Sequence, residues 1–462
     1  MLTMDNKKAA LAASTAAAFL TPLMASSVNI ALPSIGREFS MDALSLSWIA
    51  TSAVLAAAVF LVPFGRLADI YGRRRIFIYG ITTFTIFSFV SGIAPTETIL
   101  ILSRAFQGIG ASMIFGTGVA MLTSAYPLEE RGRVLGINVA ATYIGLSLGP
   151  FIGGFLTQHF GWRSLFYLTS FLGLGVVVLA VWGLKGEWAE ARNEKFDIPG
   201  SLLYMVSLTM LMLGFSELPG ITGVWTLAVG LTGLAAFVAW ERKAQKPLMD
   251  VTLFARNIVF AYSNAAALIN YSATYALTFL MSLYLQYIKG LDPQVAGGIL
   301  VAQPIMMALF SPLAGRMSDT IEPRVVASIG MAIICVGLGL FAFVGADTSI
   351  LLITLYLLLL GFGFALFSSP NTNAVMSSVE RRLYGVASAT LGTMRLTGQM
   401  LSMGIVMLIF SVVMGNTRIT PEYYSQFLQS MKLAFIIFSA LCLVGIFASL
   451  ARGKVRTVTS VK

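Results

Sequence analysis

Ionisable side chains are scarce in this chain of 462 residues: charged residues make up 11% of it, histidine occurs once and cysteine twice. Soluble domains carry roughly 25% charged residues, so a water-facing surface of ordinary extent cannot be built from this inventory. Cys335 and Cys442 both stand inside apolar runs, which excludes a disulfide framework and any metal-ligand spacing. The single histidine, His159, reads as a loop residue. Histidine, cysteine and carboxylates gather in no apolar run, so nucleophilic, metal-assisted and paired-carboxylate catalysis all lack their parts. The expectation is a chain that is no enzyme and takes no cofactor and no metal.

What is abundant is apolar sequence, 57% of the residues, with a mean hydropathy of +0.84. Trp48 to Phe64 and Ile76 to Ile93 hold no charge at all. About 20 apolar residues span a bilayer as a helix, and only a helix or a closed barrel satisfies its backbone in hydrocarbon. Apolar runs place helices near 11–35, 46–65, 76–94, 99–125, 134–157, 164–184, 198–216, 224–240, 258–287, 294–314, 325–345, 349–376, 385–414 and 431–451. Lys7 and Lys8 precede the first run as they would a signal peptide. That run continues to about Leu32, beyond the 7 to 15 residues of a signal core, and is expected to stay as the first span.

Net charge is +10, with 30 Lys and Arg. Under this topology only Arg37, Arg163, Lys289, Arg418 and Lys432 lie outside, Arg104 and Arg395 fall inside spans, and all other Lys and Arg are cytoplasmic. Positive charge marks the cytoplasmic side, so both termini are expected there, and the bias accounts for the net charge without a nucleic-acid partner. None of the 20 acidic residues falls in the central part of a span.

The chain also repeats itself. Gly65-Arg66-Leu67-Ala68-Asp69 returns as Gly315-Arg316-Met317-Ser318-Asp319, and Glu129-Glu130-Arg131 returns as Glu380-Arg381-Arg382, about 250 residues later and in the same order. Such duplication marks transporters built from repeated bundles. The expected organisation is an all-α polytopic membrane protein with an N-terminal six-helix half (1–185), a linker carrying two additional helices (186–256) and a C-terminal six-helix half (257–462). The outer turn of the inserted hairpin is Glu217-Leu218-Pro219-Gly220, and a packing or lipid-facing role is expected for it.

The segment Gly65 to Arg75, closing on Gly72, Arg73, Arg74 and Arg75, resembles the signature loop between helices 2 and 3 of the major facilitator superfamily. Leu102 to Gly110 resembles its helix-4 motif around an intramembrane arginine, here Arg104. Gly145 to Gly154 resembles the helix-5 motif of its antiporters. With Gly161-Trp162-Arg163 and Ser369-Pro370-Asn371, the chain is similar over nearly its whole length to the fourteen-helix drug:proton antiporters. The resemblance implies a plasma-membrane monomer that exports hydrophobic drugs or amphiphilic compounds by alternating access in exchange for protons. It also implies that Asp69 joins Arg66, Arg73, Arg74 and the Asp319 turn of the other half in a latch on the cytoplasmic side, with Gly65 and Gly72 shaping the loop.

Other residues are singled out by their own chemistry. Gly145, Gly149, Gly153 and Gly154 lie largely on one helix stripe where a neighbouring backbone can approach, and Pro150 bends the span; a moving seam is expected there. A guanidinium inside a span marks a pathway, which singles out Arg104 and Arg395. The span from Asn264 to Gln286 is the expected substrate lining, through Asn270 and Tyr271, followed by Gln303. Asn29 and Asn371 are added to the pathway, while Tyr284 and Tyr287 read as interface-belt residues. One departure stands out: the family's helix 1 carries an Asp five residues before the Asn of an Asn-Val-Ala-Leu-Pro-like run. This chain has Asn29-Ile30-Ala31-Leu32-Pro33, and five residues earlier stands Met24. Proton exchange then needs Asp69 or Glu217 drawn inward. Two interior arginines without an interior acid favour, as the alternative, an anionic or neutral amphiphile with atypical coupling.

Overall fold

The computed structural model describes residues 4–192, 194–244, 247–249, 251–380 and 383–453, leaving out the side chains at 4, 5, 128, 129 and 319. The side chains of Asp319 and Glu129, and Arg381 and Arg382 altogether, therefore lie outside the described residues. Among the described residues, fourteen helices are long and apolar enough to cross a membrane. They are α1 (Asn6–Phe39), α2 (Ala43–Tyr71), α3 (Arg73–Gly92), α4 (Glu97–Ala125), α5 (Glu130–Phe160), α6 (Arg163–Gly183), α7 (Ile198–Glu217) and α8 (Ile221–Glu241). The second half follows as α9 (Ile258–Ile288), α10 (Pro293–Ser318), α11 (Pro323–Phe341), α12 (Ile350–Ser377), α13 (Tyr384–Val413) and α14 (Pro421–Ala451).

Several helices run past the apolar stretches that announced them. The charged segment after Phe64 is not a turn: α2 continues through Arg66 and Asp69 to Tyr71, and the chain breaks only at Gly72. Gly72 has φ 119°, a conformation that favours glycine, and a Cβ there would run into Glu187. His159 likewise belongs to the last turn of α5. Hydropathy measures the length in hydrocarbon, whereas a helix ends where its backbone finds a cap.

The duplication in sequence is a duplication in packing. In the first half α1 packs on α5 and α6, α2 on α4, and α3 on α4 and α6; in the second α9 packs on α13 and α14, α10 on α12, and α11 on α12 and α14. Even the closest crossings repeat. Gly80 of α3 lies against the carbonyl of Gly110 of α4, and Gly330 of α11 lies against the carbonyl of Gly363 of α12. Without a hydrophobic drive between helices in lipid, such small residues let dispersion contacts form over the full crossing.

The halves meet through α1 and α9, α2 and α13, and α5 and α10. The two helices of the inserted hairpin are packed differently. Helix α7 lies across α2 and α13: the Tyr204 hydroxyl donates to the Ala58 carbonyl (3.2 Å), and the Ser411 hydroxyl donates to the Leu218 carbonyl. Helix α8 touches α7 and turns Val224, Trp225, Val229 and Leu231 outward.

The seam within the hairpin is set by Gly230, where a Cβ would stand 2.6 Å from the Leu211 backbone nitrogen. Overpacking costs typically about 1–3 kcal/mol, so Gly230→Val is expected to lower the melting temperature in detergent. Gly175→Val, at a position with nothing within 4 Å, is expected to leave it unchanged; equal melting of the two variants would remove this account of the hairpin.

Candidate functional site

The loop between α2 and α3 is held by its own half. Arg73, 6% exposed, donates to Asp69 (2.7 Å) and Glu190 (2.6 Å), and also to the Ser124 hydroxyl and the Ala120 carbonyl. Arg66 pairs with Glu194, the Arg74 guanidinium donates to the Leu184 carbonyl (2.8 Å), and the Arg74 backbone N–H donates to Glu187 (2.8 Å). The Asp69 carbonyl accepts from the Ala191 N–H (2.9 Å). The segment 184–197, after α6, thus clamps the loop with three carboxylates. A buried guanidinium shared by two carboxylates is held far more firmly than an exposed ion pair. Sequence reasoning did not single out Glu187, Glu190 and Glu194; the signal that could have found them is a run of acids to match a run of arginines.

The glycines of Gly145 to Gly154 serve two neighbours. Gly145, Gly149 and Gly153 face Phe19, Ser26 and Ser27 of α1 in the same half, and the Ser27 hydroxyl donates to the Gly149 carbonyl (2.8 Å). Gly154 faces Pro293 and Gln294 of α10, and the Pro150 carbonyl lies against Gly297. The contact between halves is therefore made by Gly154 and Pro150, with the other three glycines seating α5 on α1.

Hydrogen bonds between the halves gather at the outer ends. Ser282 donates to the Asn29 carbonyl (2.6 Å), Gln286 to that of Ile30 (2.9 Å), and the Ala43 N–H to that of Thr417 (3.1 Å). Asn29 is thus part of the outer closure. Tyr284 and Tyr287 are not belt residues: Tyr284 is wholly buried and donates to the Gly345 carbonyl (2.7 Å), and Tyr287 stacks beside Arg37 at the same closure. Toward the other ends of the helices, by contrast, Gly118 of α4 is buried in the fold yet has nothing within 4 Å of where its Cβ would stand, and Ile137, Val139 and Ala140 of α5 are exposed.

Between these ends lies a polar cluster contributed by both halves. The Tyr143 hydroxyl on α5 meets the Ser368 hydroxyl on α12 at 3.1 Å. Arg395 on α13 donates to the Thr372 hydroxyl (3.0 Å), its guanidinium lies 5.6 Å from the centre of the Tyr271 ring, and its Nε is buried without a hydrogen-bond partner. Tyr271 in turn meets Phe364 edge to face, at 5.5 Å. Sequence reasoning found Arg395 and Tyr271 and missed Tyr143, Ser368 and Thr372, which carry no motif.

The remaining expected residues are not brought there. Arg104, 4% exposed, donates to the Ile49 carbonyl (3.3 Å) and to Gln107, whose amide donates to Ser88. Asn270 is wholly buried with both side-chain polar atoms unpartnered. Gln303 is half-buried, its carbonyl against Gly361 of α12. Asn371 donates to the Ser263 carbonyl (3.1 Å) and accepts from Arg452 (3.0 Å), forming a closed joint of α9, α12 and α14. Arg452, counted from sequence as a cytoplasmic charge, is wholly buried in that joint. Met24 is buried and accepts from the Thr169 hydroxyl of α6 (3.1 Å).

Two repeated six-helix halves joined at their outer ends around a mid-span polar cluster have the build of a secondary transporter. The sequence matches the Major Facilitator Superfamily over residues 15–403 and 263–460, and the chain belongs to that family. It is 30% identical to the riboflavin transporter RibZ of Clostridioides difficile (strain 630), over 93% of each chain. It is 33% identical to the multidrug resistance protein Stp of Mycobacterium tuberculosis (strain CDC 1551 / Oshkosh), over 84% of this chain and 73% of that one. In fold it is similar to a bacterial homologue of the human lysosomal transporter Spinster in an inward-facing and unoccupied conformation, with a TM-score of 0.71 at 16% identity over 98% of each chain.

The hydrogen bond from Arg73 holds the Glu190 carboxyl below its ordinary value of 4.5. A carboxylate lowered on folding stabilises fully above its unfolded value and loses that contribution as pH falls through the lowered one. The advantage of wild type over Glu190→Gln in thermal unfolding is therefore expected to be flat above about pH 5 and to fade below about pH 4.5. An advantage that grows on acidification would contradict the assignment.

Proposed function

We propose that this chain exports small amphiphilic organic compounds from the cytoplasm, its two halves rocking about the cluster of Tyr143, Tyr271, Ser368, Thr372 and Arg395. The observation that carries the reading is that cluster, shared between halves at mid-span while the outer ends are joined. Aromatic rings with a few polar groups suit a roomy pocket of broad specificity. Relatives named for multidrug resistance and for riboflavin transport support an organic cargo. The excess of positive charge on one side supports cytoplasmic termini in a plasma-membrane protein.

In this reading Gly65 to Arg74 is the cytoplasmic gate. When the cytoplasmic ends close, Arg66, Asp69, Arg73 and Arg74 meet the turn that bears Asp319, and the Gly154 seam slides. Exchange against protons is the drive that the antiporter resemblance implies.

The test is transport of ethidium and riboflavin by the purified protein in liposomes, with a pH dye inside. At least one compound is expected to move faster than in empty liposomes. Gly154→Leu, which would force α5 off α10, is expected to slow it about ten-fold or more. Equal rates with and without protein, for these and other amphiphiles, would sink the exporter reading.

A further inference from the structure

Four arginines reach into the protein, and three are accounted for. Arg73 is neutralised by Asp69 and Glu190. Arg452 donates through all three nitrogens to Ser449, Ser263 and Asn371. Arg104 is bonded to the Ile49 carbonyl and to Gln107. Arg395 differs. Among the described residues it has one hydrogen bond, to Thr372, no carboxylate partner, and a buried Nε with no partner at all.

Its place makes this costly. Arg395 lies roughly 17 Å from the cytoplasmic end of α13, at 1.5 Å per residue, where a charge without a counter-ion is strongly disfavoured. Buried polar groups are as a rule paired. The guanidinium stands beside the Tyr271 ring, itself set edge to face against Phe364, so whatever pairs with it comes with an aromatic wall alongside. A planar fork of N–H donors beside a ring fits a carboxylate or sulfonate carried on an aromatic group.

A second observation is independent of the first. No Asp, Glu or His of the chain lies more than two residues inside a span. A cation pushed out of a cell works against an inside-negative potential and needs a coupled ion; where that ion is a proton, its carrier must titrate in the membrane. An anion needs none: each negative charge moving outward gains about a fifty-fold distribution per 100 mV. The unpaired cation and the missing proton carrier thus point to one kind of cargo.

We propose that the cargo is an aromatic organic anion whose acidic group pairs with Arg395 while its ring lies against Tyr271, and that the membrane potential drives its export without proton exchange. This rests on the exporter reading above, names its substrate class, and puts the membrane potential in place of the proton exchange that the resemblance implies.

The experiment uses the full chain in liposomes under a potassium diffusion potential, with two permanently charged probes of similar size, naphthalene-2-sulfonate and N-methylquinolinium. Sulfonate is expected to accumulate on the positive side, approaching about fifty-fold at 100 mV, to reverse when the potential is reversed, and to leave an enclosed pH dye steady. Arg395→Gln is expected to lose sulfonate transport about ten-fold or more, and Arg395→Lys to recover part of it with a raised KM, since an ammonium supplies charge without the fork. Sulfonate, unlike N-methylquinolinium, is expected to raise the melting temperature of the wild type, which decides the matter even where Arg395→Gln fails to fold. The inference is overturned if sulfonate ignores the sign of the potential or moves protons, if Arg395→Gln carries it at the wild-type rate, or if only the quinolinium moves. If neither probe moves while ethidium or riboflavin does, the inference falls and the exporter reading stands; if nothing moves, both fall.

Discussion

A peptide group in hydrocarbon has no water to bond, so each must be satisfied within the protein. Everything else in this structure works under that constraint. The chain answers it with helices that run past the bilayer and with hydroxyls that turn back on their own helix, as Thr51 does to Ser47, Thr85 to Ile81 and Ser88 to Phe84. With the backbones closed in this way, helices can attract one another only by contact. The glycine crossings at Gly80 and Gly110, and again at Gly330 and Gly363, bring backbones close enough for that contact to count.

Apart from Arg104 and Arg395, charge is confined by the same constraint to the helix ends, and there it is concentrated enough to form structure. Arg73 has its guanidinium bonded by Asp69, Glu190, Ser124 and the Ala120 carbonyl. A group of the second half that engages Arg73 must displace one of those bonds. The segment 184–197 therefore does more than connect α6 to α7: its carboxylates set the threshold against which another contact competes.

The fold was largely legible because hydropathy and a repeat of about 250 residues are long-range signals that survive local noise. Helix ends were not, since Arg66 and Asp69 look like a turn to a scale that measures transfer to hydrocarbon, although α2 carries them without a break. Lone charges in spans were legible as positions, and of the two Arg104 bonds to Ile49 and Gln107 while Arg395 lies in the cluster. Its neighbours were not, because Tyr143 and Ser368 come from different halves and nothing in the sequence ties a tyrosine at one position to a serine at the other. Asn371 misled for a related reason: its partner Arg452 sits past the end of α14, where an arginine is ordinarily a topology marker, and only packing reveals that it is buried.

The two seams between the halves are not alike, although the halves repeat. At α5 and α10 the contact is glycine on carbonyl, Gly154 on Pro293 and Gly297 on Pro150, with an exposed hydrogen bond between His159 and Gln294 (3.0 Å) at one end of it. At α2 and α13 a third helix lies across the joint, and α7 is bonded to one half through Tyr204 and Ala58 and to the other through Leu218 and Ser411. A helix tied at both ends to different bodies resists their separation. In the proposed rocking, the glycine seam then has one exposed bond to break, whereas the joint under the hairpin is tied to both halves by α7.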